Sequence, residues 1–396
     1  MRRSSNPRQL GSCADSHILG RVATDRERAR SRARLEQLAA SGLDVAAIRH
    51  EAVRELQHVI GFDRWCWPLA DPETLIPLGA LAEHDYGPAV PRVLELEYAG
   101  EDFATMGTLG RRSVPAGSLS TETHGDLARS RRWDEVFRRV GIGDEAAVAC
   151  RDAFGCWGWV KAYRDSTDRP FTRADVDFLA DVGPILGSAL RRSIRGERTC
   201  TAAPASVAGV LVLDRQLQVV KWTAAARARI DHLPGAEVYA RFGIFPAMVY
   251  PVATLVRSGN SSVARALERG SDGSWVMIEA APLEGRAEGE IVVSFRDATA
   301  GETFGRLCRT YGLSRRERDV LSAVCAGLDT NAVAADLWLS PYTVQDHLKS
   351  IFEKVGVHSR RELLATFSTT GLTSMRSGGP AEKGRGPRSG PPRSCG

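Results

Sequence analysis

Residues 313–368 read LSRRERDVLSAVCAGLDTNAVAADLWLSPYTVQDHLKSIFEKVGVHSRRELLATFS, and their start and stop signals place four short helices. Ser314 and Glu317 stand as an S-x-x-E capping box, and Gly327 closes the helix they open. Asp329 or Thr330 caps a second helix that runs to about Leu337. Ser340 caps the third, with Pro341 at the first helical position, where its missing N–H costs nothing. Gly356 ends that helix, and Val357 is placed to pack back on its last turn. Ser359 and Glu362 make the box that opens the fourth.

The third helix has two faces. Val344, Leu348, Ile351, Phe352 and Val355 fall within about one third of the circumference, the width of a buried stripe. Tyr342, Asp346, Lys349, Ser350 and Glu353 point the opposite way, with Gln345 at one flank and Thr343 and His347 at the other. The short connection between the second and third helices forces a sharp crossing. A short helix, a tight turn and a longer helix with a polar N-terminal half is the shape that enters a major groove. A plain helical bundle has the same caps and stripes.

The segment resembles the C-terminal domain of LuxR-type regulators, actinobacterial members included, through LSRRERDVL, NAVAADLWLSPYTV and HLKSIFEKVGVHSRREL. Glu317, Val320, Leu321, Gly327, Ala334, Leu337, Ser340, Thr343, Val344, His347, Lys354, Gly356 and Val357 sit at matching spacing. The resemblance implies a four-helix bundle bound to double-stranded DNA, with the third helix in the major groove and the fourth pairing two subunits of a homodimer. By the same resemblance Gln345, Asp346 and Lys349 face base edges, and Thr343 and His347 touch phosphates. Leu363, Leu364 and Phe367 are its candidates for dimerisation. The chemistry allows these roles, since Gln pairs with adenine, Lys with guanine and Asp with the cytosine amino group. One departure is clear. The family often has lysine where Gln345 stands and a neutral or basic residue in place of Asp346, which points to a changed target preference. Over 302–368 there are nine basic and eight acidic side chains, a net of +1, so phosphate attraction by one subunit is weak.

Outward from this segment, 396 residues with 43% hydrophobic and 26% charged side chains suit a multidomain soluble protein. No apolar run reaches the ~18 residues a membrane span needs, and the basic N-terminus lacks the core of a secretory signal. A cytoplasmic location is the expectation. The net charge of +5 is modest, and only five of 53 basic residues are lysines, so whole-chain charge says little about partners. The eight cysteines are scattered, with no C-x-x-C pair or Cys/His cluster at zinc spacing. No phosphate loop or nucleophile elbow occurs, so neither an enzyme nor a cofactor is expected.

The domain expectations are a basic, partly helical extension over 1–39, an α+β domain over 40–193 and a linker over 194–206. A second α+β domain over 207–300, the helical domain over 304–370 and a disordered basic tail over 371–396 follow. Asp25–Gln57 reads as one helical run ended by Gly61, and Arg64–Leu69 and Thr74–Ala80 as strands. Glu145–Asp152 and Cys156–Tyr163 form a hairpin, and Thr172 with Asp175 opens a long helix. This layout resembles a GAF domain. Val210–Leu213 and Leu217–Trp222, an alanine-rich helix from Thr223, then Trp275–Ala281 and Glu290–Arg296 resemble a PAS domain in layout. No internal repeat is visible.

Such modules imply either a pocket for a small-molecule effector or a platform that binds protein. RNA polymerase is a further candidate partner. Trp65 with Trp67 and Trp157 with Trp159 are W-x-W pairs, so each pair faces one side of a sheet, lining a pocket or filling a core. His50, His58, His84 and His124 are a weaker candidate set for haem or metal.

Overall fold

Two helices occupy the stretch that reads as one: α1 (Asp25–Ala40) and α2 (Val45–Ile60). Gly42 takes a left-handed φ of 72°, and Asp44 restarts the helix by accepting the Ala47 N–H at 2.8 Å. Apolar spacing runs on across the gap, so it carries no mark of this single backbone angle. The computed structural model describes residues 23–83, 86–100, 102–196, 207–285 and 289–368. Residues 1–22, most of the expected linker and the whole expected tail lie outside the described residues, as does His84.

The chain continues through β1 (Arg64–Ala70), β2 (Pro77–Ala82), α3 (Val90–Tyr98), α4 (Met106–Arg111), β3 (Ala116–Ser118), α5 (Leu119–Glu122) and α6 (Arg131–Glu135). Then come β4 (Ile142–Asp152), β5 (Gly155–Asp165) and α7 (Arg173–Gly196). The five strands form an antiparallel sheet in the order β2-β1-β5-β4-β3. Thr172 and Asp175 exchange the two capping hydrogen bonds at 3.2 and 3.0 Å, as expected. One face of the sheet buries Trp67, Trp157 and Val160 with Ile48 and Leu56 of α2 and Leu179 and Val182 of α7. Gly187 permits this approach, because a Cβ there would lie 2.7 Å from the Arg151 nitrogen.

The tryptophans correct one expectation. All four are buried, but Trp157 joins the α2/α7 side while Trp159 packs on the other. Ala149 pairs with Trp159 and Arg151 with Cys156, so three steps on β5 oppose two on β4. That bulge reverses the side-chain alternation between the two indoles.

A second antiparallel sheet follows from β6 (Gly209–Leu213), β7 (Val219–Trp222), β8 (Ala264–Arg269), β9 (Trp275–Pro282) and β10 (Ile291–Asp297). Its order, β7-β6-β10-β9-β8, repeats that of the first sheet: second, first, fifth, fourth, third. The repetition is one of topology, with no counterpart in the residues themselves. Helices α8 (Ala224–Ile230), α9 (Ala236–Ala240) and α10 (Val249–Arg257) link β7 to β8, and α11 (Ala300–Thr310) follows β10. The alanine-rich helix expected from Thr223 is α8, and Thr223 caps it by accepting the Ala226 N–H at 3.2 Å. The two sheets share a buried cluster in which Leu94, Leu109 and Trp159 meet Leu211, Val252 and Phe295.

Both sheets and α11 therefore lie in one compact unit, and a second unit begins at Arg315, eleven residues beyond the expected 304. The second unit comprises α12 (Arg315–Cys325), α13 (Thr330–Leu337), α14 (Pro341–Val355) and α15 (Arg360–Ser368). Among the described residues no helix is long and apolar enough to cross a membrane.

Candidate nucleic-acid interface and effector cavity

The four expected helices of the second unit are present, and their caps explain them. Asp329 caps α13 through the Ala332 N–H at 2.8 Å. Ser340 Oγ accepts the Thr343 N–H at 3.0 Å, with Pro341 in the first turn of α14. Gly356 ends α14 with a left-handed φ of 79°. At α15 the Glu362 N–H donates to Ser359 Oγ at 3.2 Å, while Glu362 Oε2 accepts the His358 N–H at 2.9 Å, one residue before the expected partner. The His358 N–H and the Ser359 hydroxyl, both bonded to it, hold the exposed Glu362 carboxyl below its ordinary range.

Val344, Leu348, Ile351 and Val355 of α14 are buried against the bundle, together with Val320, Leu321 and Val324 of α12 and Val333 of α13. On the opposite face Tyr342 and Glu353 are exposed as expected, whereas Ser350 is half-buried and bonded to Glu317 of α12. Gln345, Asp346 and Lys349 are exposed, and Thr343 and His347 are half-buried beside them. Thr343 also serves the fold, since its hydroxyl lies 2.8 Å from Ser340 Oγ.

Glu317 has a role beyond the one its sequence position suggests. Its carboxylate accepts Ser350 Oγ at 2.7 Å and Lys354 Nζ at 2.7 Å on both oxygens, which pins α12 to α14. Glu317 is 4% exposed, so this charge-assisted pair fixes the orientation of α14 better than a surface ion pair would. Of the dimerisation candidates, Leu363 and Phe367 are fully buried and Leu364 is half-buried. Buried side chains have no surface to offer, so only Leu364 of the three remains accessible.

Sequence reasoning missed Trp338. It occupies the C-cap of α13 with φ +56° and is 94% exposed, next to Tyr342, which is 74% exposed. A left-handed bulky residue costs roughly 1–2 kcal/mol. The available signal was an aromatic residue lying between two helices, outside either buried stripe.

In the first unit, a cavity of about 380 Å³ is bounded by β1, β2 and β5, by α3, and by Val238 and Tyr239 of α9. Its walls are apolar, with Leu78, Leu81, Val90, Leu94 and Met106 among them. Its floor is polar and includes Glu97, Lys161, Tyr86 and Tyr163. Tyr86 stacks on Phe137 and meets Tyr163 edge-on at 5.8 Å. Cys66 also lines the cavity, and burial pushes its thiol up to about 11, so the group is neutral.

The floor rests on a buried charge cluster that no local pattern announces. Arg132 is fully buried and donates to Glu97, to Glu145 Oε1 at 2.9 Å and to Asp102 Oδ2 at 3.1 Å. Lys161 Nζ donates to Glu97 and reaches Glu145 Oε2 at 3.0 Å. Burial would raise the Glu97 carboxyl, but the Arg132 and then the Lys161 charge outweigh it and hold the group below its ordinary range. Lys161 is itself buried, hydrogen-bonded to Glu97 and ion-paired with Glu145.

The histidines are not brought together. His50 and His58 are exposed on α2, His50 edge-on to Trp65 at 5.8 Å, and His124 is exposed in a turn after α5.

The family model described as bacterial regulatory proteins, luxR family, matches residues 312–367. The probable transcriptional regulatory protein NarL of Mycobacterium tuberculosis is 42% identical over 53 residues, which cover 13% of this chain. The chain thus spans about a quarter of that relative's length, 24%. The transcriptional regulatory protein FixJ of Rhizobium meliloti is 28% identical over 186 residues, covering 45% of this chain and 82% of FixJ. Among solved structures, SdiA of Escherichia coli covers 86% of this chain and 97% of its own at 12% identity, with a TM-score of 0.31. VqmA from a ligand–DNA complex of Vibrio cholera covers 43% and 86% at 18% identity, with a TM-score of 0.21. At those scores neither structure bears on how this chain is arranged.

Proposed function

Because residues 312–367 are a LuxR-type helix-turn-helix domain, we propose that the chain is a sequence-specific, DNA-binding transcription regulator with an effector-sensing first unit. The observation that carries the reading is α14 itself: a buried stripe on one side and Gln345, Asp346 and Lys349 exposed on the other. Two such helices, paired through α15 with Leu364 in the contact, double the phosphate contacts that one weakly charged domain makes. A DNA partner places the protein in the cytoplasm, with RNA polymerase as its onward contact.

The two sheet layers serve as GAF-like and PAS-like modules over 40–193 and 207–300. The 380 Å³ cavity is the effector site, in the size range of small-molecule pockets. Its ligand has an apolar body and an acceptor oxygen at one end, placed to meet Lys161. Occupancy shifts the balance between DNA-competent and incompetent states, which requires different affinities for the two.

Genomic-fragment selection with the full chain, followed by titration at two salt concentrations, tests the core of this reading. A shared, roughly palindromic site is the expected product. Weak binding to every fragment that vanishes as salt rises would count against sequence reading. On the selected site, Lys349→Ala is expected to weaken binding by about 1–3 kcal/mol, with little change on random DNA. An equal loss on both would remove Lys349 from the base-reading set. Thr343→Ala is expected to weaken both alike.

A further inference from the structure

A second, smaller cavity of about 70 Å³ lies beside α11 within the first unit, lined by Arg306, Trp275, Glu268, Arg269, Arg195 and Tyr311. Two residues on its wall have buried donors without acceptors. Arg306 is 9% exposed, and its Nε and Nη1 make no hydrogen bond; the nearest carboxylate, Asp71, is 3.8 Å away. Trp275 Nε1 is also buried without a partner, and the Arg306 guanidinium lies 5.2 Å from the centre of its ring. Glu268 does not supply the missing acceptor. Its Oε2 accepts the Gly79 N–H at 3.2 Å and its Oε1 the Arg269 N–H at 2.8 Å.

The cavity thus presents three orphaned donor nitrogens and further guanidinium charge. A buried unmade donor costs ~1–3 kcal/mol, and more when it is charged. Water would satisfy the donors but would itself need acceptors for its hydrogens. An ion with only acceptor oxygens fits better, and bonds to ionised groups are about twice as strong.

We propose that this cavity binds one small oxyanion, held by Arg306 and the Trp275 indole. Since a water needs ~10–15 Å³ of such volume, 70 Å³ admits an ion of sulfate, phosphate or acetate size and no attached organic body. The site is separate from the 380 Å³ cavity and shares no residue with it except Leu78. Arg306 rides on α11, which ends at Thr310, so only residues 311–314 separate the anion's helix from α12.

Glu268 gives the site a pH dependence. Burial pushes its carboxyl up to about 7, against the Arg306 charge, with Asp71 acting in the same direction as burial. On its other side Glu268 faces a groove lined by Asp44, Arg49, Arg269 and Asp272. Below pH 7 Glu268 is neutral and the anion meets no carboxylate charge from it; above pH 7 the two anions repel. Binding is therefore tighter at pH 6 than at pH 8.

Equilibrium dialysis of the full chain against radiolabelled sulfate, at fixed ionic strength in sodium chloride, tests the proposal. Sulfate stays a dianion across this range, so any pH effect belongs to the protein. The expected result is one saturable site per chain, competed by inorganic phosphate, and at least tenfold weaker in Arg306→Gln. Glu268→Gln is expected to bind more tightly at pH 8 and to lose the difference between pH 6 and 8. Absence of saturable binding, or unchanged binding in Arg306→Gln, overturns the proposal. If Arg306→Gln fails to fold by circular dichroism, Trp275→Phe decides: weaker binding supports the site, and unchanged binding overturns it.

Discussion

Arg132→Met is expected to destabilise the first unit by about 3–5 kcal/mol, the cost of removing one partner from a buried ion cluster. Three carboxylates, Glu97, Asp102 and Glu145, depend on a guanidinium that is fully buried with them. After the change Lys161 alone faces Glu97 and Glu145, and no cation faces Asp102. The loss carries a pH signature. In the native protein the Glu97 carboxyl is held below its ordinary range, so its contribution is present at neutral pH and lost as pH falls through its folded pKa. Without Arg132, burial dominates and the folded pKa rises above the unfolded one. The variant's deficit then grows as pH rises. Urea midpoints at pH 5 and pH 8 check this, with the larger deficit expected at pH 8. A deficit that is equal at both values would show that packing, not charge, makes Arg132 indispensable.

Ile351→Ala is expected to abolish DNA binding on every sequence while leaving the first unit folded. Ile351 is fully buried at the middle of α14, and such truncations cost about 2–5 kcal/mol. A unit whose described part is 315–368 has only a few kcal/mol of stability in total, at ~0.05–0.15 kcal/mol per residue. The change therefore removes most or all of it. Calorimetry of the full chain is expected to show the transition of the second unit lowered or missing and that of the first unit unmoved. A single transition that shifts as a whole would mean that the two compact units unfold together.

The legible parts of this protein are those decided within one turn or one hairpin. Ser340, Pro341, Gly356 and Asp329 delimit α13 and α14 by bonds to backbone three or four residues away, so residue types at fixed spacing were enough. The same holds for Thr172 with Asp175. The two faces of α14 follow from a period of 3.6, and the structure leaves Gln345, Asp346 and Lys349 on the exposed one. Glu317 was legible as a position but not as a contact, because Ser350 and Lys354 are more than thirty residues away along the chain.

By itself, then, the amino-acid sequence determined the helical second unit, the exposed face of α14, the β4–β5, β6–β7 and β9–β10 strand pairs, and the caps of α7, α13 and α14. All of these depend on local backbone bonding and on which side chains avoid water along one element. Tertiary structure alone decided the rest. It set the shared strand order of two sheets with no repeated residues, and the bulge that parts Trp157 from Trp159. It brought Glu97, Arg132, Glu145 and Lys161 together from two helices and two strands, and it buried Leu363 and Phe367. It also closed the two cavities. Each of these depends on which distant surfaces exclude water from one another, and spacing along a chain carries no record of that.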